Sequence, residues 1–142
     1  RAAFSQTLQK QIAEAEALTF NNKAMTLNIA ANYGGQWDIL NAIKKIGARI
    51  ERGEISSDSI GQRMLESELS LAETPDPDLF IRTGGEHRVS NFLLWQLAYT
   101  EFYFTDVLWP DFSTEEMQKS LNDYAKRQRR YGKTSDQVVE VK

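Results

Sequence analysis

The 142-residue sequence contains no cysteine, a single histidine and only three prolines. Without cysteine the chain can form no disulfide and no thiolate metal site, and catalysis by a thiol nucleophile is excluded. No run approaches the roughly 18 apolar residues of a membrane-spanning helix, and the first residues carry no apolar signal-peptide core. We therefore expect a soluble, unexported protein without a membrane-spanning segment, and the missing cysteines are compatible with the reducing cytoplasm.

The composition is that of a globular domain, with 41% hydrophobic and 26% charged residues, so disorder throughout is excluded. A formal net charge of −3 gives no reason to expect a general polyanion-binding surface. Five basic side chains nevertheless cluster late in the chain without an acid among them: Lys126, Arg127, Arg129, Arg130 and Lys133. Such a cluster is typical of a solvated helix end. The alternative, functional interpretation is that it binds phosphate.

Hydrophobic periodicity predicts alternating helices and strands. Helices are expected at about 2–18, 37–53, 57–69, 92–97 and 113–131, and strands at 25–33, 78–83 and 102–104. Ser90 and Asn91 are expected to cap the helix at 92–97, and Ser113 with Glu116 has the spacing of a capping box. Strands separated by helices favour an α/β fold with parallel pairing. Because the sequence opens on arginine with a helical pattern already under way, we expect an incomplete polypeptide.

Segment 82–91 concentrates the residues that can do chemistry. It follows a predicted strand and precedes a predicted helix, which is where ligands lie in open α/β sheets. Two glycines allow close backbone approach, Arg82 and Arg88 can each fork onto phosphate oxygens, and Ser90 stands at the start of the predicted helix. The segment therefore predicts a phosphate or diphosphate site. The alternative is a tight turn whose arginine and glutamate side chains pair with each other in solvent.

Three further features leave alternatives open. His87 can be a general acid, a metal ligand or a surface side chain. Glu101 interrupts a run rich in aromatic and aliphatic residues, so its carboxylate is paired, metal-bound or at an edge that faces solvent. Seven of the fifteen aromatic residues lie between Phe92 and Trp109, which indicates core packing or a subunit interface.

Four blocks resemble the bacterial undecaprenyl diphosphate synthases, which are cis-prenyltransferases. They are NIAANYGG at 28–35, IRTGGEHR at 81–88, SNFLLWQ at 90–96 and FTDVLWP at 104–110. The blocks occur in the family's order and spacing, and the resemblance covers almost the whole chain. It implies an α/β fold with a mainly parallel sheet wrapped by helices, only part of which this chain contains. Residues 1–142 are expected to form the C-terminal part of a single cis-prenyltransferase domain.

The resemblance also implies an activity: a homodimeric, Mg²⁺-dependent transferase that condenses isopentenyl diphosphate units onto farnesyl diphosphate. The product would be undecaprenyl diphosphate, the carrier-lipid precursor for the bacterial cell wall. By matching position, the residues implied to bind substrate are Arg82, Arg88, Val89, Ser90, Arg130 and Gly132. Catalytic positions are matched by Glu86 and His87, and the magnesium ligand by Glu101. The dimer is expected to form through 92–109, with Arg130 reaching the partner's diphosphate.

One departure from the family is large. The family's Asp-Gly-Asn-Gly-Arg-Trp-Ala loop, with its essential aspartate, does not occur in the sequence. We therefore expect the C-terminal half of a synthase, inactive as an isolated fragment. The alternative function is a non-catalytic partner subunit of a prenyltransferase complex, against which the retained Arg82, Arg88 and Glu101 argue. Nucleic-acid binding is disfavoured by the acidic remainder of the chain.

Overall fold

The computed structural model describes residues 3–127, and the chain divides into two compact units, Arg1–Ala31 and Asn32–Lys142. The first unit contains helix α1 (Gln6–Thr19), none of whose residues is buried. Ser5 caps this helix, because its hydroxyl accepts a hydrogen bond from the backbone N–H of Leu8 at 3.3 Å. The first predicted helix is therefore confirmed.

The strand predicted at 25–33 is wrong, because these residues form no strand. Met25, Leu27 and Ile29 are 78%, 74% and 81% exposed. A strand requires a neighbour that takes up its backbone hydrogen bonds, and within residues 3–127 the single strand ladder joins two other segments. The apolar alternation is thus present without a paired strand.

Within residues 32–127 the second unit contains three α-helices and two strands. In chain order these are α2 (Gly35–Glu51), α3 (Gln62–Glu68), β1 (Leu79–Arg82), β2 (Glu101–Phe104) and α4 (Thr114–Ala125), with short 3-10 turns at Ser57–Ser59 and Trp109–Asp111. Strands β1 and β2 pair in parallel, with Leu79 opposite Glu101 and Arg82 opposite Phe104. Both strands and their parallel pairing were expected from the sequence, so the α/β prediction is confirmed. None of the helices within residues 3–127 has the length and apolar character needed to cross a bilayer.

A small apolar core joins α2 to the segments on either side of β1. Its buried members are Ala42, Ile46, Leu69, Leu93 and Leu97. Phe80 of β1 packs against aromatic rings from the following loop and from β2, at centroid distances of 6.3 Å to Phe92 and 5.5 Å to Phe102. Salt bridges from Lys45 and Arg49 to Glu68 connect α2 to α3.

The helix predicted at 92–97 is also wrong, because this segment is a succession of turns. Ser90, Asn91 and Leu93 have φ angles of 48°, 61° and 44°, whereas helical residues require φ near −63°. Three of the four residues at 90–93 are thus left-handed, which prevents a helix from starting at this point. Ser90 and Asn91 therefore do not cap a helix that follows them. The last helix is confirmed with its cap, since the Ser113 hydroxyl accepts from the N–H of Glu116 at 3.4 Å. The helix ends at Ala125, short of the expected residue 131, and residues 128–131 lie outside the described residues.

Candidate functional site

An open pocket of about 450 Å³ lies beside the carboxyl end of β1. Its lining combines residues 80–83 of the strand and its end with Val89, Ser90 and Phe92 of the following loop. The structure thus brings together three of the residues predicted to bind substrate, namely Arg82, Val89 and Ser90. The location agrees with the rule that places ligands at the carboxyl ends of parallel strands. Among the described residues the pocket lining has one cationic side chain, that of Arg82, and apolar side chains make up much of the rest.

Gly84 and Gly85 shape the turn that leaves β1. Their φ angles of 83° and 72° lie in the left-handed region, where glycine carries no Cβ penalty. Their N–H groups donate to the carbonyls of Val107 and Thr105 at 2.9 and 3.0 Å. These two amides therefore anchor the turn to the segment after β2, and in this structure they are not offered to a ligand.

Arg88 and Glu86 form an ion pair with each other at the surface, with side chains 68% and 40% exposed. This is the tight-turn arrangement that the sequence left open as an alternative. Arg88 does not line the pocket, so only one of the two predicted guanidinium groups is placed there.

His87 is exposed, and its ring lies 5.0 Å from the ring of Phe104 at the end of β2. The histidine therefore stands on the same end of the strand pair as Arg82, which pairs with Phe104 in the ladder. Residues 3–127 contain no group of three His, Asp or Glu side chains arranged to hold a metal ion.

Glu101 opens β2 at the other end of the strand pair. Its carboxylate accepts a hydrogen bond from Nη1 of Arg127 at 2.9 Å, and Arg127 also pairs with Asp123 at 2.5 Å. The hydrogen bond to Glu101 is the largest of the effects that raise the pKa of the Arg127 guanidinium. Of the alternatives for Glu101, the ion pair is the one found. Three residues along a strand separate Glu101 from Phe104, which is about 10 Å, so Glu101 does not meet Arg82 or His87.

Two residues near the site had no functional role in the sequence-based prediction. Asn91 was expected to cap the helix after it, and instead it contacts the start of α2 through hydrogen bonds to Gly35 and Gln36. Asp38 is buried in the first turn of α2. The sequence did contain a signal for this role of Asn91. Gly34 precedes α2 and has no side chain to accept a hydrogen bond, so an acceptor from elsewhere in the chain was to be expected. The predicted contacts of Arg130 and Gly132 lie outside the described residues.

Residues 1–132 match a prenyltransferase family model described as "Putative undecaprenyl diphosphate synthase". A ditrans,polycis-undecaprenyl-diphosphate synthase from Pseudomonas putida, specific for (2E,6E)-farnesyl diphosphate, is 52% identical over 138 residues, which cover 97% of this chain and 55% of the relative. The Escherichia coli K12 enzyme of the same description is 50% identical over 131 residues, covering 92% and 52%. The chain thus spans about half the length of the curated relatives that it matches.

Solved structures give the same answer for the fold. Lavandulyl diphosphate synthase from Lavandula x intermedia, crystallised with dimethylallyl diphosphate, has a TM-score of 0.88 at 42% identity over 93% of this chain and 57% of its own. A Campylobacter jejuni protein described as a probable undecaprenyl diphosphate synthase has a TM-score of 0.76 at 30% identity, over 93% and 59%. The chain belongs to the undecaprenyl diphosphate synthase family of prenyltransferases and has the α/β cis-prenyltransferase fold.

Proposed function

We propose that the protein to which these 142 residues belong is a (2E,6E)-farnesyl-diphosphate-specific undecaprenyl diphosphate synthase of the cytoplasm. It adds isopentenyl diphosphate units to farnesyl diphosphate and so makes the lipid precursor for cell-wall synthesis. One observation carries the proposal: a pocket that joins Arg82 to Ser90 at the end of β1, in a chain 52% identical to an enzyme named for this activity.

The pocket at the end of β1 suits the diphosphate of isopentenyl diphosphate. The half-buried Arg82 guanidinium presents planar donors that bind two phosphate oxygens at once, and the Ser90 hydroxyl supplies a further donor. Phe80 and Phe92 give the pocket an apolar wall against which the short hydrocarbon part can pack. Arg88, Val89, Arg130 and Gly132 stay in the proposed substrate-binding set.

Glu86 and His87 are proposed as the catalytic pair beside this pocket. An imidazole has one ring nitrogen that can donate a proton and one that can accept a proton, which suits His87 to proton transfer during condensation. Glu86 is engaged by Arg88, so a diphosphate that draws Arg88 away also releases the Glu86 carboxylate beside His87.

Mg²⁺ is proposed as the cofactor, with Glu101 as its ligand, because a carboxylate oxygen suits this hard cation and diphosphates supply further oxygens. When bound, magnesium neutralises the charge that develops on the departing diphosphate. Within residues 3–127 the side chains of one chain do not by themselves fit such a site. Glu101 is held by Arg127 and stands at the opposite end of the strand pair from Arg82. We therefore propose that Glu101 serves a site completed by a second subunit of a homodimer.

A chimera tests the function directly. Residues 1–132 replace the matching segment of the Pseudomonas putida synthase, and incorporation of labelled isopentenyl diphosphate is measured with farnesyl diphosphate and Mg²⁺. We expect turnover. Arg82→Ala in the chimera should raise KM for isopentenyl diphosphate about 10- to 100-fold, since a charge-assisted hydrogen bond contributes about 1.5–3 kcal/mol. KM for farnesyl diphosphate should change little.

Arg63→Ala provides the matched control, because Arg63 is an exposed arginine on α3 that does not line the pocket. A folded, dimeric chimera that binds isopentenyl diphosphate without turnover would favour the non-catalytic subunit instead. Equal loss of affinity for both substrates in Arg82→Ala would refute the role given to Arg82.

A further inference from the structure

We propose that Asn91 is a positioning residue that fastens the loop carrying Val89 and Ser90 to the first turn of α2. The inference rests on the proposed function of the pocket at the end of β1. Asn91 itself does not contact the substrate in this proposal. Its role is to keep two pocket residues where a diphosphate can reach them.

Helix α2 begins without a cap of its own. Its N-cap residue is Gly34, which has no side chain to accept a hydrogen bond, although the first backbone N–H groups of a helix need acceptors. Asn91 supplies two of them from 55 residues further along the chain. Its carbonyl accepts from the N–H of Gly35 at 2.7 Å, and its Oδ1 accepts from the N–H of Gln36 at 2.8 Å.

The two glycines at the start of α2 give the loop room to approach. A Cβ on Gly35 would lie 2.8 Å from Cγ and 2.9 Å from the backbone nitrogen of Leu94. A Cβ on Gly34 would lie 2.8 Å from Nδ2 of Asn91. Gly34 has an ordinary extended φ of −149°, so space and not backbone conformation requires glycine there. The close approach therefore depends both on the two glycines of α2 and on Asn91 of the loop.

The backbone of the loop needs such an anchor. Ser90, Asn91 and Leu93 all have positive φ, a conformation that asparagine tolerates and that serine and leucine adopt rarely. Strained residues of this kind persist only where their surroundings hold them. The two bonds from Asn91 to α2 provide that hold, and Ser90 is its immediate neighbour in the pocket lining.

The anchor makes a specific prediction about which pocket groups move. Without the Asn91 bonds the loop is free to relax toward negative φ, and Val89 and Ser90 leave their places. Arg82 stays, because it belongs to β1 and is held by the ladder with β2. Diphosphate binding is therefore weakened but not abolished.

The test uses the 142-residue chain labelled with ¹⁵N, and inorganic pyrophosphate as the probe. Asn91→Ala removes only the Oδ1 acceptor, so it should speed hydrogen exchange at the amide of Gln36 and raise the Kd for pyrophosphate about tenfold. Asn91→Asp keeps an acceptor oxygen and should restore the amide protection, because aspartate caps helices as well as asparagine does. Asn122→Ala is the matched control, since Asn122 is exposed on α4.

Gly35→Ala approaches the same contact from the other side. Its Cβ should push the loop away and weaken pyrophosphate binding as Asn91→Ala does, and the double variant should lose less than the sum of both. If the parent binds pyrophosphate and Asn91→Ala binds it equally well, the positioning role is wrong while the proposed function stands. If the parent binds no pyrophosphate, this inference is refuted, whereas the proposed function is judged separately by turnover in the chimera.

Discussion

Asp38 is 1% exposed, and it is a charged side chain in the first turn of α2. Its carboxylate accepts hydrogen bonds from the Tyr33 hydroxyl at 3.0 Å, from the Ser70 N–H at 2.9 Å and from the Ser70 hydroxyl at 2.8 Å. A buried carboxylate is tolerated only with such partners. Asp38 therefore fixes the start of α2 to the segment that leads into β1.

Removing this carboxylate should destabilise the fold strongly. We expect Asp38→Ala to lower the free energy of unfolding by about 3 kcal/mol, because three hydrogen bonds of about 1 kcal/mol each lose their acceptor. Asp38→Asn keeps one acceptor oxygen and should lose about half as much. Urea denaturation followed by circular dichroism measures both, with the exposed Asp76→Ala as control. A loss in Asp38→Ala no greater than the control's would show that the network is dispensable.

Tyr33 predicts how the stability of the fold depends on pH. Burial, followed by the hydrogen bond to Asp38, raises the pKa of the Tyr33 hydroxyl above its usual value of 10.0. The folded state thus keeps a proton that the unfolded state loses. The stability contributed by Tyr33 is fully present below pH 10 and is lost as pH rises beyond it.

We expect Tyr33→Phe to remove this part of the alkaline loss of stability, whereas Tyr124→Phe should leave it in place. Urea midpoints at pH 8 and above pH 10 measure the difference. Tyrosinate absorbance offers a second measurement, because the late deprotonation of Tyr33 should be missing from the Tyr33→Phe variant. Identical alkaline profiles for the parent and Tyr33→Phe would contradict the assignment.

At the scale of elements, sequence patterns predicted the structure correctly where neighbouring residues determine the conformation. The strand before Gly84 and the helix after Ser113 were predicted from apolar runs and turn or cap residues, and both are present. The predictions for segments 25–33 and 92–97 were wrong, because the conformation of each segment depends on residues far away in the chain. The first lacks a pairing strand among the described residues, and the second is held as turns by the contact between Asn91 and Gly35.

The same division holds for the site. Arg82, Val89 and Ser90 share the pocket because one strand and the loop after it carry all three, which a sequence motif can predict. The partner of Glu101 was beyond such reasoning, whereas the pairing of Arg88 with Glu86 was one of two alternatives between which the sequence could not choose. Arg127 lies 26 residues from Glu101, and the pair that Arg88 forms with Glu86 depends on how the loop turns.

The cap of α4 tests one local signal by itself. Ser113→Ala removes the acceptor for the N–H of Glu116, and we expect a loss of about 1 kcal/mol in the free energy of unfolding. The exposed Ser57→Ala is the control. Ser113→Thr should recover most of the loss, since threonine also caps helices. A loss that Ser113→Thr fails to recover would assign the effect to something other than the cap.

At the scale of the whole molecule, large apolar side chains remain on the surface between β2 and α4. Leu108 is 60% and Trp109 74% exposed, and the Trp109 ring stacks on Phe112 at 6.0 Å. Exposed aromatic area of this kind is enriched in subunit interfaces. It supports the proposed homodimer through 92–109.

Sedimentation equilibrium tests that proposal. We expect the parent chain to associate as a dimer and Trp109→Glu to be monomeric, because a charge in the middle of an apolar interface loses its hydration without gaining a partner. Trp37→Glu is the matched control, as Trp37 is 59% exposed on α2. Two variants that stay equally dimeric would place the interface elsewhere.

The first turn of α2 holds the chain on both sides of β1, through Asp38 to Ser70 and through Gln36 to Asn91. In folding terms, these contacts close loops of 32 and 55 residues onto a single helical turn. Closing the shorter loop first leaves about 23 residues to be closed by the longer one, which lowers its entropic cost by roughly 0.8 kcal/mol. The two contacts therefore favour each other: once Asp38 is bonded to Ser70, the contact between Gln36 and Asn91 costs less entropy to form.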